Sequence, residues 1–194
     1  MIKNVIILIF FLFVFPLFSN LISAKENAKT EITDTESLDV DQQVILPTIV
    51  KYDMAFPGLL PDHPMYKLKI LRDKISAGLI SDPLKKIDFY LLQTDKGILA
   101  AAMLVDKNKI ELAKQTALKA EHNYTLLTYQ LYRISKKPNK AFFDRLKTAS
   151  LKHQEILLSL IKRLPENEQE TFKQIIDFSN RNLNTVQNYQ KGNY

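Results

Sequence analysis

The 194-residue chain has no cysteine and no tryptophan, and only four glycines. Without cysteine there is no disulfide framework, no thiolate nucleophile and no thiolate metal site. Scattered glycines leave no phosphate-cradling loop, and neither a nucleophile elbow nor a Walker motif occurs. A domain without covalent staples must bury a real core, and about 140 residues beyond the N-terminal segments suffice for one. Hydrophobic residues make up 46% and charged residues 25% of the chain, a globular balance. Low glycine with few β-branched alternations favours helix.

The longest apolar run stands at the start. Val5–Phe18 reads "VIILIFFLFVFPLF", preceded by Lys3 and followed by the small residues Ser23 and Ala24. That is the order of a secretory signal. The run is short beside the roughly 20 residues of a membrane span. Residues 1–24 are therefore expected to be a signal peptide cleaved near Ala24, the alternative being an uncleaved N-terminal anchor. On either account the remainder is expected to be extracytoplasmic: secreted, periplasmic or attached to the cell envelope.

Charge divides the rest. Lys25–Val50 carries six acids against two lysines, has no aromatic and shows no period, so 25–50 reads as an acidic, disordered linker. From Lys51 onward 24 Lys/Arg stand against 15 Asp/Glu. A basic extracytoplasmic domain favours anionic partners.

Residues 51–191 read as an all-α domain, an elongated antiparallel bundle of about five helices joined by short turns. Helices are expected over about 63–80, 83–105, 109–136, 139–164 and 166–190. Asp82-Pro83 is a cap followed by proline at the first helical position. Asn108 with Glu111 is a candidate capping pair. Pro138-Asn139 and Pro165 restart the chain. The last helix is rich in asparagine and is expected to fray. Ala113, Ala117, Ala120, Tyr124, Leu127, Leu131 and Ile134 repeat at 4-3 spacing, as do Phe142, Leu146, Ala149, His153, Ile156 and Leu160. On the second helix Leu84, Ile87, Leu91, Ile98, Ala102 and Val105 continue such a seam if Thr94 occupies it. These are the narrow stripes of helices packed at small angles. Folding the second helix onto the third sets Gly97 and Ala100–Ala102 against small residues, so their backbones should approach closely.

The densest punctuation is "PGLLPDHPMYKLK" at 57–69. Pro57-Gly58 signals a turn, Leu60-Pro61 an extended step, and Asp62 an N-cap with Pro64 in the first turn. Phe56, Leu59 and Leu60 are expected to cover the end of the bundle. Residues 56–86, "FPGLLPDHPMYKLKILRDKI" with "SDPLKK", resemble the opening of a bacterial family of secreted or membrane-tethered helical domains of unknown function. The resemblance is carried by Pro57, Gly58, Leu60, Pro61, Asp62, Pro64, Tyr66, Leu68 and Lys69. It implies an extracytoplasmic helical domain, and it implies no catalytic residue.

No catalytic residue, cofactor or metal site is expected. His63 beside Asp62 is a helix-start residue. His122 lies off its helix's seam. His153 lies on one, and a core imidazole needs a hydrogen-bond partner; pairing the last two helices about Pro165 would bring Ile176 and Asp177 near it. If the third and fourth helices paired instead, His122 and His153 would come level, and with Glu121 or Glu155 could hold zinc. Basic residues load the first helix (Lys67, Lys69, Arg72, Lys74) and the turn between the third and fourth. That second cluster, Arg133, Lys136, Lys137, Lys140, Arg145 and Lys147, is the candidate contact with an anionic surface. Aromatics are not interleaved with these cations, so nucleic acid is not the expected partner. The expected function is a non-catalytic envelope module, a spacer, sensor or interaction domain. Its partner would be an anionic envelope component or another envelope protein, and membrane contact would come through an uncleaved N-terminal segment or the surface. The alternative is a periplasmic chaperone-like bundle with an apolar groove along the last helix at Phe172, Ile176, Leu183 and Val186.

Overall fold

The computed structural model describes residues 50–192, all within one compact unit. The expected signal peptide and nearly all of the acidic linker lie outside the described residues. Among the described residues five helices follow in order: α1 (Tyr66–Leu79), α2 (Pro83–Asp106), α3 (Ile110–Leu131), α4 (Lys140–Arg163) and α5 (Glu166–Lys191). No strand occurs among the described residues, so the domain is all-α, as expected.

The caps explain most boundaries. Asp82 accepts hydrogen bonds from the Leu84 and Lys85 amides at 2.8 and 3.4 Å, with Pro83 at the first helical position. Asn139 accepts from the Phe142 amide at 3.0 Å and starts α4. Asn108 acts differently from expectation. It has φ 57°, and the Lys109 amide beyond it donates back to the Leu104 carbonyl at 2.9 Å, so Asn108 closes α2 rather than capping α3. The start of α1 also moves. Asp62 does not cap it; the Met65 amide donates to His63 Nδ1 at 3.1 Å and the helix begins at Tyr66. α5 does not fray within the described residues: it is helical to Lys191, and Gly192 at φ 84° ends it.

α2–α5 form a four-helix bundle. α2 lies against α3, α4 against α5, α3 against α5 and α2 against α4. Successive helices run antiparallel, but the two hairpins meet in parallel. The ion pairs Arg145–Asp88 and Arg163–Asp106 both join α4 to α2 at a constant residue offset, which only parallel helices give. α3 and α4 are therefore diagonal across the core, not neighbours. This corrects the pairing that would have set His122 level with His153. The diagonal of a bundle with 8–10 Å spacing is roughly 11–14 Å, and residues 132–139 cross it. Hence α3 ends at Leu131, five residues before the expected end.

The core falls into two apolar clusters. The upper one, near the α2–α3 and α4–α5 turns, holds Ile98, Leu104, Ala117, Leu157, Leu160 and Phe172. The lower one holds Ile87, Leu91, Tyr124, Leu127, Phe143, Leu146 and Val186. Phe172 and Val186 are thus core residues, which removes the apolar groove expected along α5. Between the clusters lies a layer of buried polar side chains. The lead-in segment 50–62 runs up the bundle, and α1 returns on the outside without burying a single residue.

Candidate functional site

Two features hold chemistry: the buried polar layer and the outer face of α1 with its lead-in.

The polar layer centres on His153, fully buried. Its Nε2 lies 2.7 Å from Asp95 Oδ1, and Tyr52 donates its hydroxyl to Asp95 Oδ2 at 2.9 Å. Burial, then the Asp95 carboxylate, pushes the Tyr52 phenol well above its usual range, so it stays a donor. Across the layer Asn182 donates from Nδ2 to Glu121 Oε1 at 2.6 Å and to Thr125 Oγ1 at 2.9 Å. Ser150 and Ser179 hydroxyls lie 3.3 Å apart, and the Tyr124 hydroxyl donates to the Leu146 carbonyl at 2.7 Å. Within this layer two buried atoms have no hydrogen-bond partner among the described residues: His153 Nδ1 and Glu121 Oε2. Burial raises the Glu121 carboxyl above the usual range, against the opposing pull of Asn182 and His153.

His153 is the core histidine expected, but its partner is Asp95 of α2 rather than a residue of α5. The signal was present in the seams. Leu91 to Ile98 in α2 and Ala149 to Ile156 in α4 each leave a seven-residue gap, filled by Thr94-Asp95 and by His153. A histidine in one gap requires a partner in another at the same height. Glu121 and Asn182 carried no such signal, since both adjoin seam positions without occupying them. His122 is exposed, and among the described residues no three His, Asp or Glu side chains converge as metal ligands.

The lead-in is built as a strap. The Val50 amide donates to Glu155 Oε2 at 2.8 Å, Tyr52 is held by Asp95, and Met54 packs on the upper cluster. Gly58 has φ 68°, a left-handed backbone that a side chain would strain. Pro57 and Leu60 are buried, and the Leu60 carbonyl accepts from the His63 amide at 3.0 Å. Asp62 bridges Lys107 and Lys109 at 3.0 and 2.9 Å, pinning the strap to the α2–α3 turn. Those hydrogen bonds, from Lys109 first and then Lys107, hold the Asp62 carboxyl down at about 2. Of the three apolar residues expected to cover the bundle end, only Leu60 does; Phe56 and Leu59 remain exposed.

α1 then turns its apolar side outward. Leu68, Leu71, Ile75 and Leu79 are 57%, 56%, 43% and 73% exposed. Tyr66, Ile70 and Ala77 face the bundle and are half-buried. Beside α1, Phe56, Leu59, Met65 and Leu68 line an open groove of ≈ 380 Å³ with Lys69, Arg72 and Lys96 at it. Burial first, then Lys69, pushes the Lys96 ammonium below its usual range, and Arg72 adds to this while Asp73 opposes it.

The other basic cluster is divided. Lys140 and Lys147 pair with Asp144, and Arg145 pairs with Asp88 while lying over the Phe142 ring. Arg133, Lys136 and Lys137 are exposed on the diagonal link and make no ion pair among the described residues.

A family model described as Domain of unknown function (DUF5667) matches residues 58–167, from the lead-in glycine to the first turn of α5. No curated protein and no solved structure matches the chain.

Proposed function

The chain belongs to the DUF5667 family, a domain of unknown function, and we propose that it is a non-catalytic interaction module working outside the cytoplasm at the cell envelope. One observation carries the proposal: a closed four-helix platform displays a fifth helix whose aliphatic side faces solvent. Soluble domains rarely leave four aliphatic side chains aligned in water without a use for them. The signal-like residues 1–24 support the compartment. The acidic segment 25–50 supports a role held at a distance from whatever precedes it. The acid–imidazole pair Asp95–His153 supports a structural rather than a reactive role, because Tyr52 closes over Asp95 and the imidazole is fully buried. The exposed cations Arg133, Lys136 and Lys137, which make no ion pair among the described residues, offer a second contact with an anionic surface.

The test uses Leu71→Glu with Ile75→Glu. Both sites are exposed, so the helical spectrum and melting temperature should hold while association with the envelope fraction is lost. Protease added to spheroplasts, stripped of their outer layers with the inner membrane intact, should remove an epitope placed after Gly192. A protected epitope would end the compartment assignment, and retained envelope association would end the role of α1. The same exposed side also favours a chaperone-like reading, in which α1 holds an unfolded client. Suppression of client aggregation by the wild type and not by the double variant would select it.

A further inference from the structure

We infer that α1 seats on an anionic lipid surface, with Leu68, Leu71, Ile75 and Leu79 in the acyl boundary and Lys67, Arg72 and Lys74 at the headgroup phosphates. This rests on the reading of α1 as the contact surface and names what it contacts.

The arrangement follows from helical spacing. At 100° per residue the four aliphatic positions fall within an arc of roughly 80° and span about 16 Å of axis. Lys67 and Lys74 flank that arc on one side and Arg72 on the other, all exposed. Asp73 is the only acid in α1, and it faces inward, engaged by Lys69 at 3.5 Å and Arg72 at 2.7 Å. A narrow aliphatic stripe with cations on both shoulders suits a helix lying in a bilayer interface, where long basic side chains reach up to phosphate. Phe56 and Leu59 extend the apolar surface beside the groove, where Lys69, Arg72 and Lys96 crowd together against one carboxylate. An arriving anion relieves that crowding.

The other occupants fit less well. A second copy would set four cations and one acid against the same set, a repulsive contact. Nucleic acid makes no use of four aliphatic side chains. A protein helix would suit the stripe, but nothing in the stripe's shoulders offers it the mixed charge that fixes pairing.

The absence of tryptophan supplies the probe. Leu71→Trp in the full chain reports on α1 alone, even if the apolar run at 5–18 enters the vesicle separately. On vesicles of equal parts phosphatidylglycerol and phosphatidylcholine, Trp emission should shift to shorter wavelength. On pure phosphatidylcholine it should not, and salt should reverse the shift. Adding Lys67→Gln, Arg72→Gln and Lys74→Gln should weaken partitioning roughly a hundredfold. Ile75→Trp repeats the measurement if the first variant misfolds. Equal shifts on both vesicles would overturn the anionic assignment. So would a shift that grows with protein concentration without lipid, which marks a second copy. A shift with lipid-free envelope protein and none with vesicles overturns the lipid assignment but keeps the interaction module. No shift with either removes both.

Discussion

Two carboxylates show how environment decides what a residue does. Asp62 sits between two lysines, its carboxyl held at about 2. Its contribution to stability is present above the ordinary carboxylate range and is lost as pH falls through that value. Glu121 is buried, with one oxygen on Asn182 and the other unpaired, and its carboxyl is raised. The sign is opposite. The folded state holds the proton more tightly than the unfolded chain, so the contribution is full in acid and is lost as pH rises through the raised value. Glu121→Gln keeps the acceptor for Asn182 and removes the buried charge. It should match the wild type in acid and exceed it at neutral pH by about 1–3 kcal/mol. Urea unfolding at a series of pH values measures this; a variant less stable than the wild type at neutral pH would show that the charge is compensated.

At the scale of elements, the contact between α2 and α3 turns on Gly97. A Cβ built there would lie 2.6 Å from Ala120 Cβ and 3.3 Å from Ala120 Cα. The glycine is a local liability, since alanine in a helix interior favours the helix by about 1 kcal/mol. The clash decides the sign, because a backbone atom cannot swing away. Gly97→Ala should destabilise by roughly 1–3 kcal/mol, read as a lower urea midpoint with the slope unchanged. Ala120→Gly in the same chain should recover part of the loss. A neutral or stabilising Gly97→Ala would mean that the two helices can separate without cost. The close approach was legible, because Gly97 and Ala100–Ala102 fold onto Ala113, Ala117 and Ala120 at the spacing of a hairpin. The α4 stripe was legible only in part. Phe143, Ser150 and Leu157 join Leu146, His153 and Leu160 inside, whereas Phe142 and Ile156 are half-buried. A helix with neighbours on two sides buries a wider arc than one seam.

Over the whole molecule, stability is uneven. α2–α5 share two apolar clusters, while α1 buries no residue and is held by the Asp62 bridge and half-buried contacts. Native-state hydrogen exchange should find α1 amides opening locally, independent of low denaturant, and the centres of α2–α5 exchanging only by global unfolding. Equal protection in α1 and α3 would contradict the loose attachment. A loosely held helix can tilt onto a surface without disturbing the platform beneath it, which is what a contact element requires.

Much of this domain is local information. Five helices, most of their boundaries, the small-residue approach of α2 to α3 and the burial of His153 follow from caps, prolines and 4-3 spacing, which act within a few turns of chain. The tertiary structure decided three things. The hairpins meet in parallel with α3 and α4 diagonal, because a seam says which side is buried but not against which neighbour. Asp95 of α2 became the partner of His153, and Glu121 and Asn182 were drawn inside to complete the layer. Finally, α1 was left outside with its aliphatic side to solvent. Its period is that of a core helix, and only the closing of four other helices on one another, with no room for a fifth, turns that stripe into a surface.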